Sequence, residues 1–255
     1  LLCWHAYHRR THREVTGGAR GKSRYTLESE RPKVDRKLRF AIPSQTIYKQ
    51  DPAERVCNWN EVTLGFADEQ AAITEATRCI QCPAAPCTKA CPIHNDIPAA
   101  FWELEHGNFE AAASIFRLTS TMPEVCGRIC PQERLCEGSC VVGNQKRVPP
   151  TPPVHIGRLE VFVADYQRNH GGFPKPEVAA PSGRSVAVVG SGPAGLTVAE
   201  DLVKAGHRVI VYEAWPRPGG ILVYGIPNFK LDKGIPEAKV AYLEGLGVEF
   251  VCNTK

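Results

Sequence analysis

The apolar positions of the chain change their period near residue 180. Before it, in residues 67–79 (ADEQAAITEATRC), 96–117 and 155–172, they recur at helical spacing. Asp68 is placed to start the first of these helices, which delivers Cys79 at its end. Asp96 caps the next, Pro98 sits in its first turn, and Gly107 divides 96–117 into two short helices. Phe101, Leu104, Phe109, Ile115 and Phe116 supply their apolar face, and the helix of 155–172 stops at Gly171 and Gly172. A Pro-rich linker follows at 173–183. Beyond it the apolar residues come as short unbroken runs, SVAVV at 185–189 and RVIVY at 208–212, separated by a Gly-rich turn and a helix to about residue 205. A helix over roughly 235–246 and a strand in GVEFVC close the sequence. The pattern predicts an α+β chain: an irregular basic head at 1–44, a small all-α domain at 45–172, the linker, and an α/β unit at 184–255.

Composition narrows this picture. With 255 residues and 43% hydrophobic content the chain has room for two cores. No apolar run reaches the eighteen or so residues of a membrane span, so no membrane partner is expected. The net charge of +4 is mild, and much of it lies before residue 40. Lacking interleaved aromatics, that stretch reads as a disordered or foreign head rather than a nucleic-acid surface. The only methionine is Met122, so Leu1 is not an initiator; VEFVCNTK stops in or just after a strand, and the sequence reads as cut at both ends.

Eight of the eleven cysteines fall between Cys79 and Cys140, with no signal peptide ahead of them. That favours metal ligation in a reducing cytoplasm over disulfides. Zinc sites are built from paired C-x2-C knuckles, and only Cys79 and Cys82 make one. The run C-x2-C-x4-C-x3-C-P at 79–92 instead follows ferredoxin-style ligation, in which the cysteine before the proline serves the other cluster. Cys79, Cys82 and Cys87 would then hold one [4Fe–4S] cluster and Cys91 would join Cys130 and Cys136 on a second, with Cys140 returning to the first. The second set lacks a fourth thiolate unless Cys126 supplies it. Arg78, Lys89, Arg128 and Arg134 are candidates to offset cluster charge, against the ordinary reading of loop cations in water. His94 reads as a capping or surface histidine.

The other strong signal is VAVVGSGPAGLTVAEDLVKAGHRVIVYEA. Gly190, Gly192 and Gly195, with Ser191, Pro193 and Ala194 between them, form G-x-G-x-x-G after a strand and at the mouth of a helix. Glu213 ends the second strand. Strand, turn, helix, strand and terminal acid in that order mark a dinucleotide site. The glycines let backbone N–H groups approach a pyrophosphate at a helix N-terminus. Glu213 would accept from the ribose hydroxyls and disfavour a 2′-phosphate. FAD and NAD both remain open on this motif.

Taken in order, EATRCIQCPAAPCTKACPIHNDIP, CGRICPQERLCEGSC and VHIGRLEVFVADY resemble the N-terminal domain of glutamate synthase small subunits, over roughly residues 45–252. The amino-terminal part of dihydropyrimidine dehydrogenase and the flavin subunits of ferredoxin:NADP and sulfide oxidoreductases share the likeness. The resemblance implies that Cys79, Cys82, Cys87 and Cys140 hold one cluster. It assigns Cys91, Cys130, Cys136 and Glu160 to the other, with Cys126 a bystander. EAWPRPGGILVYGIPNFKL is similar to the family's flavin-side loop, which implies FAD, with Gly219, Gly220 and Ile221 along the ribityl and pyrophosphate. Tyr224, Gly225, Ile226 and Pro227 would then approach the isoalloxazine. In the family an NADPH domain is inserted after this point. The expected function is electron transfer from NAD(P)H through FAD and two [4Fe–4S] clusters to a partner, foremost a large glutamate synthase subunit. A ferredoxin:NADP or sulfide oxidoreductase subunit is the alternative; a non-enzymatic adaptor would not need both the turn and the flavin loop.

Overall fold

The computed structural model describes residues 32–143 and 151–255; most of the basic head lies outside the described residues. Its end corrects the expectation that 1–44 is irregular. Asp35 accepts from the N–H groups of Lys37 and Leu38 and so caps helix α1 (Arg36–Ala41). Arg39 donates to the Cys79 carbonyl (2.6 Å) and grips Glu105 with both arms of its fork (2.6 and 2.8 Å). Six residues are too few for a period to show.

Strands β1 (Tyr48–Lys49) and β2 (Thr63–Gly65) pair antiparallel around helix α2 (Pro52–Arg55). The helical part follows as α3 (Glu69–Thr77), α4 (Pro86–Ala90), α5 (Ile97–Glu105), α6 (Phe109–Arg117), α7 (Pro123–Ile129) and α8 (Ile156–His170). Asp68 and Asp96 cap α3 and α5 as their positions predict, accepting from Ala71 N–H (2.8 Å) and Ala99 N–H (3.3 Å). The predicted apolar face is the core: Phe101 meets Phe116 edge-on, and Phe109 does the same to Phe162 and Tyr166 of α8. Helices α7 and α8 cross where only glycine fits. A Cβ on Gly127 would lie 2.7 Å from the Gly157 carbonyl oxygen.

A second core forms around β3 (Ser185–Val189), α9 (Pro193–Lys204), β4 (Arg208–Tyr212), α11 (Gly234–Gly245) and β5 (Glu249–Val251), with the one-turn helix α10 (Ile221–Tyr224) between β4 and α11. The strands run parallel in the order β3-β4-β5, Ser185 opposite Arg208 and Ile210 opposite Glu249. β3 lies at the sheet's edge, and its Val189 is 91% exposed.

The linker is held fast. Ala179 N–H donates to the Lys204 carbonyl and Ser182 N–H to that of Gly206 (both 2.9 Å), while Phe173 packs on Tyr242. Helix α7 joins the cores. Met122, just before it, is buried in the second core, and Lys239 of α11 donates to the Thr121 carbonyl (2.8 Å) while pairing with Glu200. Residues 58–62 form a strap to the α/β part, through Val62 N–H to the Phe229 carbonyl (3.0 Å) and Trp59 stacked on Phe229. No helix among the described residues is long and apolar enough to cross a membrane.

Candidate functional site

Helix α3 ends at Thr77, and Arg78 then locks the start of the cysteine loop. Its side chain is fully buried, paired with the equally buried Glu75 (2.5 Å), and donates to the carbonyls of Pro152 and Pro153. The expected role in offsetting cluster charge is thus overlaid by a structural one. Gln81 and Ala85 take positive φ (48° and 37°), so the loop turns sharply enough to face its cysteines inward. Lys89 and Arg134 are exposed, as is His94, whose ring contacts the Thr88 carbonyl.

Cys79, Cys82, Cys87 and Cys140 line one cavity, walled otherwise by apolar side chains including Ile97, Phe101 and Ile156. Burial, then the neighbouring cysteines, push the Cys79 thiol well up and that of Cys87 up to about 12. Cys91, Cys130, Cys136 and Glu160 form a second group whose charges act on one another. Burial and then Glu137 and Glu160 raise Cys136 to about 12, whereas a hydrogen bond with Cys126 lowers Cys130 against the effect of burial. Glu160 is buried at 6% exposure and its carboxyl is pushed well up, by burial first and then by Cys126 and Glu124. Burial and neighbouring charge favour the neutral forms of Cys79, Cys87, Cys136 and Glu160, groups that ionise when a cation arrives. The donor chemistry therefore fits iron. Among the described residues no three His, Cys, Asp or Glu side chains converge as ligands of a single ion would; a four-iron cluster asks instead for a set of four spread thiolates. Cys126 stands close to these groups. Its sulfur lies 3.7 Å from Ser120 Oγ and beside Cys130, at the edge of the second group.

The three glycines of the turn each have a distinct reason. Gly190 takes φ +86°, which a side chain resists, and a Cβ on Gly195 would fall 1.9 Å from the Gly190 carbonyl oxygen. Gly192 has nothing within 4 Å of its missing Cβ. These are the tight turn, the close helix–strand packing and the open approach that a dinucleotide pyrophosphate requires. Pro193 and Ala194 open α9 behind them. Glu213 is drawn into the turn: it accepts from Ser191 N–H (2.9 Å), the Ser191 hydroxyl and Trp215 N–H (2.9 Å), bonds that hold its carboxyl below the usual range despite burial. Ser191 Oγ in turn accepts from Gly219 N–H (2.9 Å). Gly220, at φ +51°, rides on the turn so closely that its Cβ would lie 2.8 Å from Gly192 Cα.

Ile221, Gly225, Ile226 and Pro227 line a cavity of about 590 Å³ together with Ile129 and Arg128 of α7 and Arg158 of α8. Lys233 supports this wall by donating to the Leu222 carbonyl (2.9 Å) and to that of Ile226. Tyr224 does not join it. Its ring packs on Trp215, 4.7 Å between centroids, and its hydroxyl accepts from Arg217 N–H. Sequence reasoning also missed Glu61, which accepts from Arg128 (2.7 Å) and from Asp232 N–H (2.9 Å), and so links strap, helix α7 and the α/β part. Such contacts across 67 and 171 positions leave no local signal.

Residues 55–172 match the family described as dihydropyrimidine dehydrogenase domain II, 4Fe-4S cluster, and residues 188–236 an NAD(P)-binding Rossmann-like domain. The chain is 40% identical over 219 residues to the NADPH glutamate synthase small chain of Azospirillum brasilense, covering 86% of this chain and 44% of that protein. Against the Bacillus subtilis small chain the identity is 37%, covering 81% and 42%. With the NAD-dependent dihydropyrimidine dehydrogenase subunit PreT of Escherichia coli K12 it is 37%, covering 77% and 46%. The chain spans less than half the length of each of these relatives. An iron–sulfur family match thus precedes a Rossmann-like match along the chain, and the chain is similar in sequence to glutamate synthase small chains and to dihydropyrimidine dehydrogenase subunits.

Proposed function

We propose that this chain is the electron-transferring part of an NAD(P)H-dependent flavin and iron–sulfur oxidoreductase. FAD lies along Gly190–Gly195 and Gly219–Pro227, one [4Fe–4S] cluster is held by Cys79, Cys82, Cys87 and Cys140, and a second by Cys91, Cys130, Cys136 and Glu160. The observation that carries the reading is adjacency: Ile129 lines the cavity beside Gly225–Pro227, and the next residue is the ligand Cys130. The cofactors supply the change from two-electron to one-electron chemistry. The chain's own residues position them. Ser191 ties the phosphate turn to Glu213 and Gly219, Lys233 holds the Ile226 carbonyl, and the Arg78–Glu75 pair fixes the first cysteine loop.

Likeness to glutamate synthase small chains makes the large subunit of that enzyme the favoured electron partner, in the cytoplasm. The PreT likeness favours, as a second reading, a partner subunit acting on dihydropyrimidines. The test is anaerobic purification of the full-length protein with iron, acid-labile sulfide and flavin measured together. About eight irons with matching sulfide are expected for two four-iron clusters, with one FAD. Zinc without labile sulfide refutes the iron–sulfur assignment, and iron without flavin refutes the FAD assignment. The partner that co-purifies separates the two readings.

A further inference from the structure

The cavity beside Gly225–Pro227 is lined by five basic side chains, Lys49, Arg55, Arg128, Arg158 and Lys230, and by one acid, Glu61. Lys49, Arg55 and Lys230 are exposed, so water and salt screen them. Arg128 is nearly buried but already neutralised, by Glu61 at 2.7 Å and Asp165 at 2.6 Å. Arg158 differs from all four. It is half-buried, and among the described residues it forms no ion pair.

Its position is electrostatically poor. Arg158 stands in the first turn of the fifteen-residue helix α8, at the positive end of the helix dipole, which disfavours a cation by about 0.3–1 kcal/mol. Burial opposes its charge as well, and Glu137 and Glu61 offset this without forming an ion pair with it. An anion in the cavity would relieve both. Helix geometry explains how one turn reaches three places. At 100° per residue Ile156 and Glu160 share a face while Arg158 points the other way. Ile156 accordingly walls the first cysteine cavity, Glu160 sits in the second group, and Arg158 faces the space beside Gly225–Pro227.

We propose that Arg158 is the cation that faces the flavin ring in this cavity and stabilises the negative charge the ring takes on when reduced. The proposal rests on the flavin reading above. A reduced nicotinamide passes a hydride, two electrons and one proton, to the neutral ring; the nicotinamide leaves oxidised and positive, and the ring keeps one negative charge. Arg158 keeps its own proton throughout and supplies only its field.

The test uses sulfite, which adds to the oxidised ring to give an anionic adduct and so reports positive charge near it without turnover. In the full-length, flavin-loaded protein, Arg158→Gln is expected to weaken sulfite binding at least tenfold. It should also lower the two-electron flavin potential by about 30 mV, the equivalent of that tenfold change. Arg158→Lys should stay within about threefold of the unaltered protein, and Arg55→Gln should match it. Iron content should hold in all three, which separates this effect from damage at Glu160. If Arg158→Gln keeps its flavin with sulfite affinity and potential unchanged, the proposal is overturned. If Arg158→Gln sheds its flavin, Arg158→Lys decides: sulfite binding tenfold weaker than normal, with flavin retained, overturns it as well. An unaltered protein that holds no flavin refutes the functional reading itself.

Discussion

Two glycines three positions apart in the dinucleotide turn should respond in opposite ways to the same added methyl group. At Gly195 a Cβ would sit 1.9 Å from the Gly190 carbonyl oxygen, a backbone atom that cannot step aside. Overpacking of this kind costs about 1–3 kcal/mol, and so close an approach belongs at the upper end. Replacing glycine with alanine inside a helix returns about 1 kcal/mol, so Gly195→Ala should lose about 2 kcal/mol net. At roughly 2–4 °C per kcal/mol the melting temperature should fall by about 4–8 °C. At Gly192 the backbone has φ −65° and the added methyl meets nothing within 4 Å. Gly192→Ala should therefore gain about 0.4–1 kcal/mol through the unfolded chain. Yet the methyl occupies the face offered to the pyrophosphate, so this variant, and Gly192→Val more strongly, should lose flavin while folding normally. Thermal melts by circular dichroism, with flavin absorbance and iron measured on the same preparations, make the comparison. A Gly192→Val protein that keeps stoichiometric FAD with its clusters intact would falsify the cofactor placement. Equal destabilisation by both alanines would refute the packing argument.

Glu160→Ala should cost one cluster, about four of eight irons, while Cys126→Ser leaves both; loss of iron from Cys126→Ser alone would make the cysteine the fourth ligand. Glu213 has a folded-state carboxyl held below its unfolded value near pH 4.3, so its stabilisation is present above that pH and lost as the pH falls through the folded value. Glu213→Gln should accordingly flatten the acid limb of a stability–pH profile. Lys239→Met strands a buried carboxylate on Glu200, partly relieved by Lys204, and should cost about 3 kcal/mol by denaturant titration; a loss below about 0.5 kcal/mol would show that the bridge between the cores carries little.

Local pattern made most of this fold legible. The capping aspartates, Gly107 and the paired glycines after His170 bound helices within a residue or two of where they lie. Strands 185–189 and 208–212 fall on the predicted residues. Cys79, Cys82, Cys87 and Cys140, which the motif groups together, do share one cavity. What escaped was long-range or conditional. Nothing local marks Lys239 as a tie to Thr121 or Glu61 as a hub. Nor does any local pattern mark the packing of Tyr224 on Trp215. Arg158 stands out only once its neighbours are known to be either neutralised or in water.

Helix α7 packs on the α/β core through Val125 and Ile129, with Met122 just before it, and ends at Cys130. Seven residues of rigid helix thus make the two halves thermodynamic witnesses of each other's cargo. Iron bound at Cys130 would restrain the segment that the Rossmann-like part packs against, so cluster loading should tighten dinucleotide binding. By reciprocity a bound dinucleotide should tighten iron binding by the same coupling free energy.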